Sequence, residues 1–411
     1  MIKTEFFENA VQLGFYGLER SALHGKKDYV RKYWEDMSIK LSVRPYIEKI
    51  LSSKRKVRIA DLGCGSGEGI ELLTHIPVTN SFEQHAKEFI LSLEDIELYR
   101  GLDISPSMIE QGRRNYAGLE NTHFTQADLS KGFPLLSEEP FDLYFSSYSS
   151  LSHLQYEELA HLTDQIFRHI QGKGFVVYDL FGKYSPEWPR YWDKSCRDIL
   201  EYNMTYLFSE KELQSVNVES YDCCFWSAQE FKEMITTTAK RLNKQTDMRI
   251  KDRSIFVGRH MDTGYFNGIK SHYRHQVNRL FERDFRGNLP KLRIDLQFVK
   301  DHIQGIPLSV QETLNSYQNQ WNAIINLTDA LLKSNTGLVK EIIKSQSPAN
   351  SEELKMLTWL YRNASRFPVV DFWASIMGPQ IACVLRNYEL AIQKAVGCGH
   401  GLFAVVEATN Q

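Results

Sequence analysis

The stretch from residue 57 to residue 69, VRIADLGCGSGEG, constrains the fold more than any other part of the chain. A run of alternating and β-branched residues ends in Asp61 and then breaks into alternate glycines, Gly63, Gly65 and Gly67. The residues that follow have the apolar spacing of a helix, so the stretch predicts a buried strand, a tight turn and a helix. Glycine allows positive φ, and without a Cβ it lets a polar ligand lie against the backbone and the helix N-terminus.

The spacing of the glycines excludes a nicotinamide dinucleotide fingerprint, which needs G-x-G-x-x-G. The sixth position counted from Gly63 is Glu68, and the sixth position counted from Gly65 is Ile70. The loop is therefore expected to hold a different ligand with a bulky polar part.

Three later stretches predict further strands that end in polar residues. Residues 97–105, ELYRGLDIS, predict a second strand that ends at Asp103, and a serine followed by a proline then predicts the start of a helix. Residues 124–129, FTQADL, and residues 141–147, FDLYFSS, predict the third and fourth strands. The alternation of strands and helices indicates an α/β fold.

Taken together, the four stretches resemble the cofactor motifs of the class I S-adenosylmethionine-dependent methyltransferases. The resemblance implies an α/β, Rossmann-like, doubly wound sheet of seven strands, mostly parallel with the last strand antiparallel. It also implies an enzyme that uses S-adenosylmethionine as its cofactor and releases S-adenosylhomocysteine. The residues that the resemblance assigns to the cofactor are Asp61, Gly63, Cys64, Gly65, Gly67, Asp103, Ile104, Met108, Asp128, Leu129 and Ser146.

The resemblance also implies individual roles. The acid after the second strand would hold the ribose, the acid after the third strand would accept a hydrogen bond from the adenine amino group, and an apolar side chain would lie on the adenine. These positions are Asp103, Asp128 and Met108. One departure from the family is the gap of 36 residues between the last of the glycines and Asp103, since about 20 are usual. The surplus predicts an extra helix near residues 82–91, and it leaves Asp95 as the only rival for the ribose.

The loop after the fourth strand, residues 146–154, has the sequence SSYSSLSHL. In the family this loop lies beside the methyl group, which makes Tyr148 and His153 candidate catalytic residues and Ser149 a candidate substrate contact. His153 suits a general base, because an imidazole titrates near pKa 6.5 and can take a proton at neutral pH. The alternative is that it packs against or caps the next helix. The loop lacks an Asn or Asp followed by Pro-Pro-aromatic, which argues against methylation of a nucleobase or a glutamine amide.

Two aromatic regions flank the predicted sheet. Residues 1–50 predict an N-terminal helical lid, in which Tyr16 and Tyr33 are candidate substrate contacts. Residues 181–226 are rich in aromatic residues, and in this fold an insertion there arches over the substrate. We expect Trp188 and Trp192 to line a pocket and Arg190 to fix an anionic group, all as substrate contacts. For both regions the alternative is that the aromatic side chains are core contacts of packing elements.

The expected domain boundaries follow from the same patterns. Residues 51–262 are predicted as the methyltransferase domain, closed by two hairpin-like strands at 247–253 and 254–259. Residues 263–411 are predicted as a mainly helical domain of unassigned role and a candidate homodimer surface. Within it, residues 270–293 are basic and carry aromatic side chains, which indicates either RNA binding or, as we favour, a solvated helical face. Near the end, glycines precede a strand-like run, which is the wrong order for a second glycine loop.

The composition limits the functional classes. The chain of 411 residues has a net charge of −2, so no global field attracts nucleic acid or anionic lipid. No apolar run reaches the 18 or so residues of a membrane helix, and we expect a soluble, cytoplasmic protein. The six cysteines form no C-x-x-C pair, so we expect reduced thiols and no metal site.

The sequence thus predicts transfer of a methyl group to an O, N or C nucleophile of a small molecule, such as a secondary metabolite. One alternative keeps the reaction but uses the basic segment at 270–293 to bind RNA or a peptide as substrate. A second alternative is a regulator that binds S-adenosylmethionine without catalysis. The RNA alternative predicts salt-sensitive binding of nucleic acid. The regulator predicts cofactor binding without turnover.

Overall fold

The structure is a computed structural model, and it describes residues 8, 11, 28–78, 88–208, 211–215, 218–284, 288–303, 305–346, 348–392 and 394–410. Half of the predicted N-terminal lid, including Tyr16, and most of the predicted extra helix near residues 82–91 lie outside the described residues.

The described part of the chain alternates strands and helices up to residue 253 and is mainly helical after it. The strands are β1 (Val57–Leu62), β2 (Ile96–Asp103), β3 (Thr122–Gln126), β4 (Leu143–Phe145), β5 (Lys173–Gly182), β6 (Leu200–Asn203), β7 (Ser220–Cys223), β8 (Phe225–Trp226), β9 (Lys244–Arg253) and β10 (Gly401–Asn410). The α-helices are α1 (Met37–Leu51), α2 (Glu68–Thr74), α3 (Pro106–Asn115), α4 (Tyr156–His169), α5 (Ala228–Arg241), α6 (Tyr273–Arg279), α7 (Lys300–Ile303), α8 (Leu308–Leu332), α9 (Thr336–Ser345), α10 (Pro348–Arg362) and α11 (Gly378–Ala391). Two π-helical segments, Arg31–Asp36 and Trp373–Met377, lead into α1 and α11.

The central sheet has the strand order β3-β2-β1-β4-β5-β10-β9, with the short β8 paired beside β5. Strands β1 to β5 are parallel to one another, whereas β10 is antiparallel to both β5 and β9. The order reverses direction at β1, which is the doubly wound arrangement that places ligands at the carboxyl ends of the strands. The predicted Rossmann-like sheet, mostly parallel with one antiparallel strand, is confirmed.

The identity of the antiparallel strand differs from the prediction. Residues 254–259 were expected to form a strand in a hairpin, but β9 ends at Arg253 and Ser254 has a φ of +59° that turns the chain away. The position between β5 and β9 belongs to β10, which hydrogen-bonds along both neighbours. A prediction from local pattern pairs strands that are close in sequence, and here that prediction is wrong. The predicted methyltransferase domain ends at residue 262, so it leaves out β10, which belongs to the same sheet.

Local sequence signals set the starts of the helices that follow the strands. The Ser105 hydroxyl accepts a hydrogen bond from Met108 N at 3.4 Å and caps α3, as the serine-proline pair predicts. At the start of α5, the Ser227 hydroxyl accepts from Glu230 N at 3.2 Å, and the Glu230 carboxylate accepts from Ser227 N at 3.0 Å. This reciprocal pair is a capping box. Helix α2 begins directly after Gly67.

Residues 263–392, which we call the helical insertion, lie between β9 and β10 in the chain. Its core includes Trp321 and Tyr317 of α8, which pack on Phe256 after β9. Trp34 of the N-terminal π-helical segment joins the same core, with its ring centroid 6.0 Å from that of Trp321. Its indole N–H also donates to Glu389 Oε1 of α11 at 2.7 Å. The N-terminal segment and the helical insertion therefore pack together at one side of the sheet.

Across the described ranges, no helix combines the length and the apolar character that a membrane-spanning segment needs.

Candidate functional site

The glycine loop connects β1 to α2 at the carboxyl edge of the sheet. Gly63, Gly65 and Gly67 all have positive φ, at +72°, +52° and +94°. A Cβ on Gly63 would lie 2.5 Å from Ser150 Cβ, and a Cβ on Gly67 would lie 2.6 Å from the Tyr116 ring. A Cβ on Gly65 would meet no atom within 4 Å among the described residues. Packing therefore requires glycine at Gly63 and Gly67, whereas the face of Gly65 is open to a ligand.

Asp103 lies next to this open face. Its Oδ2 accepts a hydrogen bond from Gly65 N at 2.9 Å, and its Oδ1 accepts one from Ser105 N at 2.9 Å. Burial raises the pKa of Asp103, while these backbone donors act in the opposite direction. Each carboxylate oxygen has two lone pairs, so each can accept a further hydrogen bond, as from a ribose hydroxyl. The rival Asp95 lies at the other end of β2, where it accepts from Ser92 N at 2.9 Å.

Asp61 lies beneath the glycine loop rather than at its surface. It is buried, and the Tyr99 hydroxyl donates a hydrogen bond to its Oδ2. Burial raises the pKa of Asp61 to about 7, despite the hydroxyl donor. A Cβ on Gly69 would overlap Oδ2 of Asp61 and lie 3.0 Å from its Cγ, so α2 can pass Asp61 only with glycine there. Asp61 therefore lies in close contact with the first turn of α2, and its assignment to the cofactor stays a prediction.

The residues assigned to the adenine follow β2 and β3 at the same edge. Ala127 N donates to Asp103 O at 2.8 Å, which holds the residues after β3 beside the end of β2. Asp128 Oδ1 accepts from Ser130 N at 3.1 Å, and Ile104 is 46% exposed. The other assigned side chains, Met108, Leu129 and Cys64, are buried. The structure therefore brings the predicted cofactor residues together along one edge, with Asp103, Ile104 and Asp128 outermost.

The loop after β4 touches the glycine loop. Ser150 Oγ donates to Gly63 O at 3.0 Å. Tyr148 and Ser149 have φ values of +55° and +62°, a backbone region that non-glycine residues adopt at a cost and that is frequent at functional sites. Ser146 and Ser149 are buried, and their hydroxyls have no hydrogen-bond partner within the part of the chain that the structure describes.

The two candidate catalytic side chains of this loop point to different places. The Tyr148 hydroxyl donates to Asp36 Oδ1, and burial raises its pKa well above the ordinary value. His153 is exposed, and its Nδ1 lies 3.6 Å from Cys223 Sγ on β7. Tyr148 therefore faces the N-terminal segment, whereas His153 faces the hairpin of β6 and β7. Their catalytic roles stay predictions.

Four arginines that the sequence did not assign to the site surround one carboxylate beside this loop. We call them the arginine cluster, which consists of Arg31, Arg253, Arg259 and Arg274. Each places a guanidinium nitrogen 2.8 to 3.8 Å from an oxygen of Glu35. Glu35 is fully buried, which by itself would raise its pKa, but the four guanidinium groups hold the pKa well below its ordinary value.

Further ion pairs tie the arginine cluster to the sheet and the glycine loop. These pairs are Arg31–Glu68 at 2.6 Å, Arg253–Asp179 at 2.7 Å and Arg274–Asp28 at 2.8 Å. Glu68 is the first residue of α2, and Asp179 lies in β5 and accepts a hydrogen bond from Tyr148 N at 2.7 Å. One sequence signal was available, because Asp179 interrupts an otherwise apolar strand and a buried acid needs a cationic partner.

The basic segment at 270–293 is not the fully solvated face that we expected. Arg274 of α6 is 5% exposed, and it donates to Asp28, to Glu35 and to the carbonyl of Val257. For Arg274 the expectation is wrong, because the charge is needed inside the protein to balance buried carboxylates.

Trp188 and Trp192 of residues 181–226, which we call the aromatic cap, belong to two different hydrophobic clusters. Trp188 is fully buried and donates from its indole to Gly182 O at 2.8 Å. Trp192 is buried in the core of the helical insertion and donates to Ser185 O at 3.0 Å. Arg190 lies at the cap surface, where its Nη2 donates to the Tyr191 hydroxyl at 2.9 Å. These positions agree with the packing alternative, and the substrate contacts stay predictions.

Tyr33 packs against the helical insertion, away from the glycine loop. The Tyr33 ring is 43% exposed and packs 5.3 Å from the Phe281 ring of the helical insertion, with its hydroxyl 3.4 Å from Cys383 Sγ. All six cysteines are free. Within the described segments, no group of three or more His, Cys, Asp or Glu side chains is arranged to hold a metal ion.

Several known proteins are similar to this chain. A family model described as a methyltransferase domain matches residues 88–174. Among solved structures, the chain is similar to the YcgJ protein of Bacillus subtilis, with 11% identity over 91% of this chain and 98% of that chain and a TM-score of 0.35. It is also similar to DesVI of Streptomyces venezuelae, with 14% identity over 60% of this chain and 93% of that chain and a TM-score of 0.34.

A third similar structure is an S-adenosylmethionine-dependent methyltransferase from Clostridium acetobutylicum, with 12% identity over 54% of this chain and 87% of that chain and a TM-score of 0.35. No curated protein matches the chain. The family match covers β2 to the start of β5, and the glycine loop and the order of the strands extend the same pattern on both sides of it. Residues 88–174 therefore belong to a methyltransferase domain, and the sheet that contains them is Rossmann-like.

Proposed function

We propose that this protein transfers a methyl group from S-adenosylmethionine to an O, N or C nucleophile of a small molecule. The observation that carries the proposal is the pairing of an open face at Gly65 with a carboxylate, since Gly65 N donates to Asp103 Oδ2 at 2.9 Å while nothing described lies over the glycine. A backbone that a ligand can approach closely, beside an acceptor with lone pairs to spare, fits a nucleoside with a charged tail.

The residues at the site fit this cofactor. Asp103 would hold the ribose hydroxyls and Asp128 the adenine amino group, while Gly65 leaves room for the methionine portion. When bound, the cofactor supplies a methyl group that is already activated on a sulfonium. The Ser146 hydroxyl, which has no hydrogen-bond partner among the residues that the structure describes, directly follows β4 and offers a further donor for the cofactor.

The chain's own contribution is alignment and exclusion of water. The loop after β4 is fixed to the glycine loop through Ser150 and to β5 through the backbone N–H of Tyr148. The Tyr148 hydroxyl also donates to Asp36 of the N-terminal segment. The loop after β4 is thus held by three contacts, and a fixed loop can orient the nucleophile of the substrate.

Two features support a small molecule over RNA as substrate. The net charge is −2, and one cation of the basic segment, Arg274, is buried in the arginine cluster. Binding of a polyanion depends on exposed cations that neutralise several phosphates at once.

The first test is calorimetric titration with S-adenosylhomocysteine of the wild type and of an Asp103→Ala variant. Loss of a charged acceptor for two ribose hydroxyls is expected to weaken binding about 30-fold or more. Asp95→Ala is the matched control, because Asp95 also accepts two hydrogen bonds but lies at the opposite end of β2. Its affinity should stay within about threefold of the wild type. Equal losses in both variants, or no binding to the wild type, would remove the support for the proposal.

The second test separates the substrate classes. Purified protein and radiolabelled S-adenosylmethionine are incubated with small-molecule, RNA and protein fractions of a cell extract. We expect label in the small-molecule fraction. Label only in RNA or protein would support the rival substrates, and cofactor binding with no label in any fraction would support a non-catalytic regulator.

A further inference from the structure

Three members of the arginine cluster converge on one aromatic ring. The guanidinium carbon of Arg31 lies 3.0 Å from the centroid of the Tyr148 ring, and those of Arg253 and Arg259 lie 5.2 and 5.4 Å from it. Arg31 and Arg253 are 4% and 1% exposed. Three cations are thus held together at the loop that follows β4, largely shielded from water.

These three arginines have more donors than their neighbours can satisfy. Within the described residues, Nε and Nη1 of Arg31, Nε and Nη1 of Arg253, and Nε of Arg259 have no hydrogen-bond acceptor. Buried donors without acceptors are costly, so an arrangement that retains five of them on adjacent guanidinium groups indicates a site for acceptor atoms.

The fourth arginine shows that the surrounding carboxylates can satisfy a guanidinium fully. Arg274 donates from Nε and Nη2 to Asp28, and from Nη1 to Glu35 and to Val257 O. Among the described residues, no buried nitrogen of Arg274 lacks an acceptor. Two of the five donors, Nη1 of Arg31 and Nη1 of Arg253, lie 3.8 Å from oxygens of Glu35. The donors left for another acceptor are therefore the Nε atoms of the three arginines around Tyr148.

A hydroxyl donor and the glycine loop also lie close to Tyr148. Ser149 directly follows Tyr148 in the loop, and its buried hydroxyl has no partner in the described ranges. Arg31 is bonded to Glu68 at the start of α2, which directly follows Gly67. The donors thus adjoin the place where the proposed reaction occurs.

We propose that the three arginines around Tyr148, together with the Ser149 hydroxyl, bind an oxyanion of the methyl acceptor, either a carboxylate or a phosphate. The proposal rests on the proposed function and adds the substrate class, a small anionic molecule. Planar guanidinium groups match the oxygens of both oxyanions and bind them more strongly when shielded from water. The sequence predicted that Arg190 fixes an anionic group. We assign that role to the three arginines around Tyr148 instead, because Arg190 lies at the surface of the aromatic cap and donates to the Tyr191 hydroxyl.

The test uses sodium phosphate and sodium acetate as probes on the full-length protein saturated with S-adenosylhomocysteine. Binding is measured by calorimetry and by thermal shift against sodium chloride at equal ionic strength. We expect saturable stabilisation by at least one of the two oxyanions, and the tighter one identifies the acceptor group. If neither oxyanion stabilises the wild type more than chloride does, the proposal is wrong, and this result needs no variant to fold.

Variants then locate the site. Arg31→Gln and Arg259→Gln each remove unpartnered donors, and we expect each to weaken binding of the favoured oxyanion about tenfold or more. Arg274→Gln is the matched control, because it removes an equally buried guanidinium whose donors are all used. It should keep the oxyanion affinity within about threefold, even if it lowers the melting temperature. An equal loss in all three variants would overturn the proposal.

A last comparison separates the substrate from the cofactor, whose own methionine carboxylate has the same chemistry. The oxyanion is titrated against the protein saturated with S-adenosylhomocysteine and against the protein saturated with 5′-methylthioadenosine, which lacks that carboxylate. Equal oxyanion affinity in both supports the proposal. Competition by S-adenosylhomocysteine alone assigns the cluster to the cofactor and overturns it. Failure of the proposed function itself would appear separately, as a wild type that binds neither nucleoside.

Discussion

We expect Gly65→Ala to weaken cofactor binding and Gly69→Ala to weaken the fold, although the two glycines are only four residues apart. At Gly65, with a φ of +52°, a Cβ meets no described atom within 4 Å. The substitution therefore costs only the backbone strain of a left-handed alanine, about 1 kcal/mol. At Gly69 a Cβ overlaps the carboxylate of Asp61, which is buried and bonded to Tyr99. Overpacking of this kind costs about 3 kcal/mol.

The two substitutions are measured by urea unfolding and by calorimetric titration with S-adenosylhomocysteine. We expect Gly65→Ala to unfold at nearly the wild-type urea concentration but to bind S-adenosylhomocysteine about 100-fold more weakly, because the methyl group occupies the face that the ligand needs. We expect Gly69→Ala to lower the free energy of unfolding by about 3 kcal/mol.

Gly172 provides the matched control for Gly65. It has a φ of +76° and no described atom within 4 Å of an added Cβ, but it directly precedes β5, at the amino edge of the sheet. Gly172→Ala should therefore show the same small loss of stability and no change in affinity. If Gly65→Ala binds S-adenosylhomocysteine as tightly as Gly172→Ala does, the open face of Gly65 does not hold the cofactor, and the argument from the loop geometry fails.

Three further predictions follow from individual side chains. The pKa of Asp61 is raised from 3.8 to about 7 in the folded protein, so its contribution to stability is full below pH 3.8 and is lost as the pH rises through 7. Urea unfolding at several pH values should show a decline of roughly 4 kcal/mol from this group, and Asp61→Asn should flatten it; an unchanged slope would contradict the pKa. His153→Ala should leave the S-adenosylhomocysteine affinity within about twofold in calorimetry, because the side chain faces the cap, and a tenfold loss would place it in the cofactor site instead. Trp34→Phe removes the indole donor to Glu389 and should lower the free energy of unfolding by about 1.5 kcal/mol; no change would show that this contact does not couple the two elements.

The glycine loop and the strands around it could be predicted because their signals are local. Strand β1, the alternate glycines and the acid that ends β2 lie within short stretches, and each has a chemical reason that holds without knowledge of the rest of the fold. The position of Asp103 beside Gly65 follows directly, because adjacent parallel strands end at the same edge. The caps at Ser105 and Ser227 were predictable for the same reason.

The arginine cluster and the pairing of β10 could not be predicted, because both depend on contacts between distant segments. Each arginine by itself resembles a surface residue, and only the fold brings all four to Glu35. The aromatic cap posed a different problem. A sequence rich in tryptophan and tyrosine fits a pocket and a packed core equally well, and the buried indole of Trp188 shows how a core satisfies its polar atom internally.

The position of β10 has a consequence for how the protein reaches its folded state. Its two partners in the sheet, β5 and β9, are complete long before β10 in the chain, and about 150 residues separate Arg253 from Gly401. Until β10 docks, both partners present edges with unpaired N–H and C=O groups, and such edges recruit strands from other molecules. The step that completes the sheet is therefore also the step at which the chain is most exposed to aggregation. A chain that lacks residues 401–410 should therefore bind the missing strand when it is added as a separate peptide. The gap between β5 and β9 has room for one strand, which would hydrogen-bond to both.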